Sequence, residues 1–387
     1  MFGLYFIVFS CLVGILGYLI MPDSTPSAND GAIQIQKKLP GFEASFLLLR
    51  KDYEVSKNNI LQKAIGGQES PYIRIPVTEY RISNDTVYYR EYGRPDEIRH
   101  IDLVPAVFSL YVGETSLLGN GKNYMVNNSE VSYVDFYGQL QKIPLEKVRH
   151  IFDENNIQKK KFLLGTDRAG RDLLSRLMFG TRISLSIGFT AVIISLILGM
   201  TLGSLAGFFG GKTDQFILWF MSVVWSIPGI MLVIAISIAM QSRGIWVAFI
   251  AVGLTMWVEV ARVVRGQIMS IKEKTFIEAT RALGMGNFRI VYAHIFPNTI
   301  GPVIVIATAN FATAILLEAG LSFLGLSVQP PAPSWGNMIY EGFIMLGTKN
   351  SWHMVVFPGL AISLIVLSFN LLGNGLRDAI DPKTVLK

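Results

Sequence analysis

The stretch ISLSIGFTAVIISLILGMTLGSLAGF, from Ile183 to Phe208, contains no Asp, Glu, Lys or Arg. About 20 mainly apolar residues in a helix cross a hydrocarbon core of about 30 Å, and the backbone there must satisfy its own polar groups. Five other stretches read the same way: Phe2 to Ile20, Phe216 to Met240, Ile245 to Val264, Ile300 to Leu321 and Met354 to Leu376. The sequence therefore predicts a mainly α, polytopic protein with six transmembrane helices. Glu259 and Arg262 fall in the last turns of the fourth span, where they are expected to snorkel or to pair one turn apart.

Composition agrees with a membrane protein. Charged residues are 16% of the chain, against about 25% in soluble domains, and apolar residues are 51% with a mean hydropathy of +0.43. Disorder, collagen-like repeats and a disulfide-stapled module are excluded; the single cysteine, Cys11, lies in an apolar run. Lys and Arg match Asp and Glu at 18 each from Pro22 to Gly165, whereas the rest of the chain carries 16 against 10. The basic excess thus belongs to the hydrophobic part, as membrane-flanking charge does, and no nucleic-acid partner is expected.

Basic residues of the short loops set the orientation. Arg265, Lys272, Lys274, Arg281 and Arg289, and in the tail Arg377, Lys383 and Lys387, place both segments in the cytoplasm. Six spans then put the amino terminus inside and residues 22–161 outside. Arg168, Arg171, Arg176 and Arg182 run against the rule, since they crowd the outer face. The first run is read as an uncleaved anchor: no Lys or Arg precedes Phe2, and Pro26-Ser27-Ala28 is a poor cleavage site. The missing basic flank points to a short leader lost ahead of Met1, and the Val8-Phe9-Ser10-Cys11 lipoprotein reading is set aside.

Three parts follow: a first span at 1–21, an extracytoplasmic α+β insertion at 22–161 between the first and second spans, and five spans at 162–387 with a cytoplasmic loop at 265–298. In the insertion, Ile73, Ile75 and Val77 alternate with polar neighbours, Asn84-Asp85 offers a turn and Thr86 to Tyr89 is β-prone, which predicts a hairpin. Pro144 opens a helix with Leu145, Val148 and Phe152 on one face. His100 and His150 stand isolated, so neither a metal site nor a catalytic residue is expected. The glycosylation-like triplets at Asn84 and Asn127 carry no weight.

Gly211-Lys212-Thr213 imitates the end of a phosphate-binding loop, yet Ala206 occupies the position of the required first glycine. The tripeptide reads as a tight turn between spans, and any ATP must bind another chain. The basic loop is more informative. Phe276, Ala279, Ala282 and Leu283 mark an amphipathic helix ended by Gly284; Ile290, Val291, Ile295 and Phe296 mark a second, stopped by Pro297 before the next span. So short a pair needs something to pack against, either lipid headgroups or a cytoplasmic partner.

The spacing of Glu278, Ala279, Gly284 and Pro297, with His294 before the proline, resembles the coupling loop of permease subunits in bacterial ABC importers. Gly165-Thr166-Asp167 with Gly170-Arg171-Asp172 is similar to the segment before the second span in C-type subunits of the dipeptide, oligopeptide and nickel branch. So is the outer loop of Gln329, Pro330, Pro331, Trp335 and Gly336, and so is the tail Leu372 to Ala379, with Asn374 where Asp is common. The resemblance leaves Pro22 to Lys161 unexplained.

This resemblance implies an inner-membrane permease half that moves peptides. Its implied partners are a second permease in a heterodimer, two ABC ATPase subunits carrying ATP and Mg, and an extracytoplasmic solute-binding protein, with membrane lipid around it; this chain would bind no cofactor. A nickel-complex importer is the alternative substrate reading. A membrane-anchored sensor or assembly protein, or an ion-driven transporter, are the rival classes; the coupling pattern argues against the first, and Glu259 and Glu318 lie too near span ends to form the central acidic relay of the second. Gly199, Gly203 and Gly207 repeat every four positions and read as helix packing, while Pro228-Gly229 reads as a kink, with a place on the transport path as the alternative. If the topology is right, a cysteine introduced in 120–128 is labelled by an impermeant reagent from outside and one beside Lys272 is not; the reverse pattern would refute the orientation.

Overall fold

The computed structural model describes residues 1–113, 118, 121–127, 129–242 and 244–380. Asn128 of the second glycosylation-like triplet and the tail residues Asp381, Pro382, Lys383 and Lys387 lie outside the described residues. The chain divides into two compact units: Met1–Ile15, Leu177–Phe343 and Val355–Lys387 form one, and Leu16–Arg176 with Ile344–Met354 the other.

Helix α1 runs Phe2–Ile20. The sheet-bearing unit follows, with β1 (Phe42–Arg50), α2 (Ile60–Gly66), β2 (Tyr72–Ser83), β3 (Thr86–Glu91), β4 (Ile98–Asp102) and α3 (Leu103–Val107). Then come β5 (Tyr124–Asn127), β6 (Glu130–Val134), β7 (Leu140–Pro144), α4 (Leu145–Asn155) and β8 (Ile157–Phe162). One antiparallel sheet has the order β4-β3-β2-β1-β8, the other β5-β6-β7. The hairpin expected around Asn84-Asp85 is β2–β3, with Ser83 opposite Thr86, and Asn84 takes the positive φ of 55° that such a turn needs.

The larger sheet is covered on both faces, which explains the unbroken apolar run Phe46-Leu47-Leu48-Leu49 in β1. Leu47, Val77 and Val87 pack with Val104 of α3 and with Val148 and Phe152 of α4. Ala44, Phe46, Leu48 and Phe162 point the other way and enclose Ile35. Leu145, Val148 and Phe152 are the buried residues of α4, as its periodicity predicts. Just after α4, the buried Asn156 donates through Nδ2 to the carbonyls of Leu48 (2.5 Å) and Ala106 (2.8 Å), while its own carbonyl accepts from Leu48 N–H. It ties strand, helix and loop at one point.

The helical unit continues with α5 (Leu173–Phe209), α6 (Gly211–Trp225), α7 (Gly229–Ala239), α8 (Ile245–Lys272) and α9 (Thr275–Ala282). It ends with α10 (Asn287–Ile290), a π-helical turn at Val291–Ile295, α11 (Phe296–Phe323), α12 (Trp335–Phe343) and α13 (His353–Ile380). Among the described residues, five helical stretches are long and apolar enough to cross a membrane: Phe2–Ile20, Leu173–Phe209, Ile245–Lys272, Asn287–Phe323 and His353–Ala379. The protein is a mainly helical, multi-pass membrane protein.

The third expected span is not one helix. The segments Gly211–Trp225 and Gly229–Ala239 meet at 91°, a break far sharper than the expected kink. Pro228 supplies no N–H and drives Ile227 out of the helical region, so the ladder cannot pass through. Two other boundaries also move. Helix α8 runs on past Val264 to Lys272, and Pro297 does not stop the preceding helix: it sits at the start of α11, directly after the π-helical turn. The wider turn absorbs the residue whose missing N–H would otherwise leave a gap in the ladder.

The Gly199, Gly203, Gly207 stripe packs as its spacing predicts. A Cβ on Gly199 would lie 2.5 Å from the Val260 Cβ, and one on Gly203 equally close to the Ala261 carbonyl oxygen. Backbone of α5 therefore lies against α8. Beyond the Gly210-Gly211 turn, where both φ angles are positive, Lys212 and Thr213 enter the first turn of α6 instead of forming a phosphate loop. Arg265 of α8 grips Asp214 of α6 with two parallel bonds, Nε to Oδ1 at 2.5 Å and Nη2 to Oδ2 at 2.7 Å.

Replacing Asn156 by Ala leaves two buried carbonyls without their donor, at about 1–3 kcal/mol each. Pulse proteolysis of the full chain in detergent should then cut faster within 42–162; unchanged resistance would remove the tie.

Candidate functional site

The segment from α9 to the π-helical turn has two faces of opposite character. Ile277 and Thr280 of α9, Ile290 of α10 and Ile295 are buried. Ile277, Ile290 and Ile295 share a cluster with Phe208, Val264, Ile268 and Ile271, near the adjoining ends of α5 and α8. Phe276, Ala279, Ala282 and Leu283, the apolar positions that mark the amphipathic helix, are exposed, so this chain buries the other side and leaves the marked face for something else to cover. Four apolar positions at helical spacing define a face without saying whether this chain or another covers it.

Gly284 ends α9 in a Schellman arrangement. Its N–H reaches the Arg281 carbonyl at 2.9 Å, the Met285 N–H reaches the Thr280 carbonyl at 3.1 Å, and Gly284 itself has φ +73°. The chain thereby reverses and Met285 turns back onto the inner cluster. Glu278, Ala279, Gly284 and Pro297 are exposed, and His294 is half-buried with its carbonyl accepting from Asn298 Nδ2 at 2.8 Å. Beside them stand Leu283, 76% exposed, and Phe288, 84% exposed, whose ring lies parallel to that of Tyr292 at 6.2 Å. The segment is thus locked inward to two long helices and offers an apolar, aromatic outer face.

The outer-loop residues form a packed structure instead of a free loop. Trp335 is 2% exposed; its Nε1 donates to the Leu177 carbonyl at 3.1 Å and its N–H to Ser184 Oγ at 3.3 Å. Gly336 has no room for a side chain, since a Cβ would lie 2.5 Å from the Ala319 Cα. Pro330 and Pro331 are exposed, and Gln329 folds back through Nε2 to the Gly325 carbonyl at 3.0 Å.

Beneath this loop lies a knot that sequence reasoning missed. Glu318 of α11 is wholly buried and accepts from Ser322 Oγ at 2.6 Å and, at 3.5 Å, from Ser184 Oγ of α5. Ser322 and Ser334 hydroxyls lie 3.1 Å apart, and Ser334 Oγ accepts from Asn337 N–H. Three elements, α5, α11 and the loop into α12, thus share one carboxyl. The readable signal was a glutamate inside an apolar helix with serine one turn on, which the sequence analysis discounted because it lay near a span end.

In the other unit, the expected motif before the second span is buried. Thr166 Oγ1 donates to the Ile35 carbonyl at 2.5 Å and accepts from Lys38 N–H at 2.8 Å; its own carbonyl accepts from His353 Nε2 at 3.0 Å. Asp167 accepts from the N–H groups of Ala169 and Arg171 and from Arg171 Nε at 2.6 Å, and it forms an ion pair with Arg176, whose Nε lies 3.2 Å away. Asp172 accepts from Ser175 N–H at 3.1 Å. Gly165 and Gly170 take positive φ against the backbone of Lys38 to Pro40 and of Ala32. Arg171 and Arg176 are thus both ion-paired to Asp167 inside a folded motif.

Residues 199–386 match the family of binding-protein-dependent transport system inner membrane components. A dipeptide transport system permease protein of Alkalihalophilus pseudofirmus is 44% identical over 219 residues, 57% of this chain and 71% of that protein. The chain belongs to this family. A glutathione transport system permease protein of Pectobacterium atrosepticum is 41% identical over 220 residues, covering 57% and 72% of the two chains. An oligopeptide transport system permease protein of Bacillus subtilis is 38% identical over 224 residues, covering 58% and 72%. The part matched to the inner-membrane-component family takes in α8, the two-faced segment and the knot residues Glu318, Ser322 and Ser334, and leaves out Ser184 and both sheets.

Replacing Glu318 by Leu strands the serine hydroxyls that it accepts from and is expected to cost about 1–3 kcal/mol. Gln, which keeps an acceptor there, should preserve more of the stability. Aggregation temperatures of the detergent-solubilised variants test this, and equal losses in both would discard the knot.

Proposed function

We propose that this chain is one permease half of an ATP-driven importer that brings peptides into the cytoplasm across the inner membrane. The observation that carries the reading is the two-faced segment: its inner face is bound to α5 and α8, and its outer face has Leu283 and Phe288 among the most exposed apolar residues of the chain. An exposed apolar face rimmed by charge suits a protein partner. Here that partner is one of two ABC ATPase subunits, with Glu278 facing a basic or amide group, Ala279 allowing close approach and Gly284 making the turn. The ATPases hold ATP and Mg and perform the hydrolysis; this chain is a transport subunit and not an enzyme.

Coupling then follows from mechanics. A docked partner that moves on binding ATP pushes the segment, and because Ile277, Ile290 and Ile295 are packed against α5 and α8, those helices must follow. Energetically, the two conformations differ in affinity for the partner, and that difference drives access from one side to the other. A second permease completes the path as a heterodimer. The peptide class is supported by the relatives named for dipeptide, oligopeptide and glutathione transport. The 22–161 insertion, outside on this reading, meets the solute-binding protein or the second permease.

Glu278→Lys and Gly284→Pro should each lower peptide uptake at least tenfold while expression stays normal, the second because proline cannot adopt the φ of +73° found there. The ATPases should also dissociate more readily in detergent. Normal uptake by both variants would remove the coupling role.

A further inference from the structure

Helix α8 carries one face unsuited to lipid. Thr255, Glu259, Arg262 and Gly266 follow at spacings of four, three and four, which place them on one side of the helix, and none of them is buried by the rest of the chain. The opposite side, through Met256, Trp257, Val260, Ala261 and Val264, is buried against neighbouring helices. The pairing expected between Glu259 and Arg262 is not formed. Arg262 instead lies over the Trp225 ring at 4.0 Å, and among the described residues Glu259 has no ion-pair partner. A carboxylate in a membrane-crossing helix is costly unless it meets water, a partner or a solute.

Its surroundings favour a solute. Glu259 lines a cavity of about 300 Å³ together with Thr255, Thr313 and the break between α6 and α7, from Trp225 through Ile227 to Pro228, and the rest of its lining is apolar. Broken helices within a membrane are tolerated where they border a cavity or a path, because the unpaired backbone groups there find water or ligand. A concave break whose one charged lining residue is a carboxylate is a poor seat for a flat helix–helix contact and a good one for a passing charged group. We propose that Glu259 is a charge-selecting residue on the solute path, favouring peptides with a cationic side chain over those with an anionic one. Rings of Asp and Glu select cations in channel pores by the same attraction.

This proposal rests on the peptide-import reading, so its test separates the two. The reconstituted transporter is given Ala-Lys-Ala and Ala-Glu-Ala, which share their termini, and the ratio of their uptake rates is compared among variants with the same binding protein. Glu259→Gln should lower the Lys-to-Glu ratio about tenfold, Glu259→Lys should invert it and Glu259→Asp should keep it. Uptake of both peptides with an unchanged ratio in the Gln and Lys variants overturns the proposal alone; uptake of neither by the unaltered transporter overturns the import reading and this proposal with it. A second measurement keeps Glu259 in place. Thr255→Cys should favour a cationic over an anionic methanethiosulfonate reagent about tenfold more than a free thiol does, and a preference equal to the free thiol would also refute the assignment.

Discussion

The constraint behind the helical unit is that a peptide group inside hydrocarbon has no water to bond. Each unpaired group costs several kcal/mol, so the chain crosses as helices that satisfy themselves. Departures from that rule are few and local. The 91° break at Pro228 borders a cavity, and the π-helical turn at Val291–Ile295 sits directly ahead of Pro297. Both are places where proline removes a donor, and both adjoin positions to which transport roles are assigned.

Packing among the helices uses two devices suited to a medium that gives no hydrophobic drive between apolar surfaces. One is close approach, through Gly199, Gly203 and Gly207 on α5 against α8. The other is a small number of polar joints: the Asp214–Arg265 pair near one end of α8, and the Glu318 carboxyl shared by serines from α5, α11 and the loop before α12. These joints are directional where glycine contacts are not, so they define register as well as proximity. Against this background the two-faced segment is a rigid attachment on α5 and α8, and force applied to its outer face reaches those helices through packed side chains.

The sheet-bearing unit is built on ordinary aqueous principles. Its larger sheet buries both faces, and polar ties such as Asn156 and the Thr166 to Asp172 motif satisfy groups that burial would otherwise strand. The same arginines that disturb a count of loop charge are consumed in this motif.

Hydropathy and spacing alone determined that the chain crosses a membrane repeatedly, that the Ile73–Tyr89 region is a hairpin, that Leu145, Val148 and Phe152 form one buried face, and that the glycine stripe of α5 is a packing surface. Each of these depends on neighbours within a few residues, and local periodicity records it. The tertiary structure decided the rest. It turned Phe276, Ala279, Ala282 and Leu283 outward, buried Trp335, left Glu259 unpaired beside the broken helix and drew Glu318 together with Ser184, which is 134 positions away in the chain. Which apolar face a chain covers, and which charge it neutralises, depends on residues distant in sequence, and a periodic pattern carries no record of them.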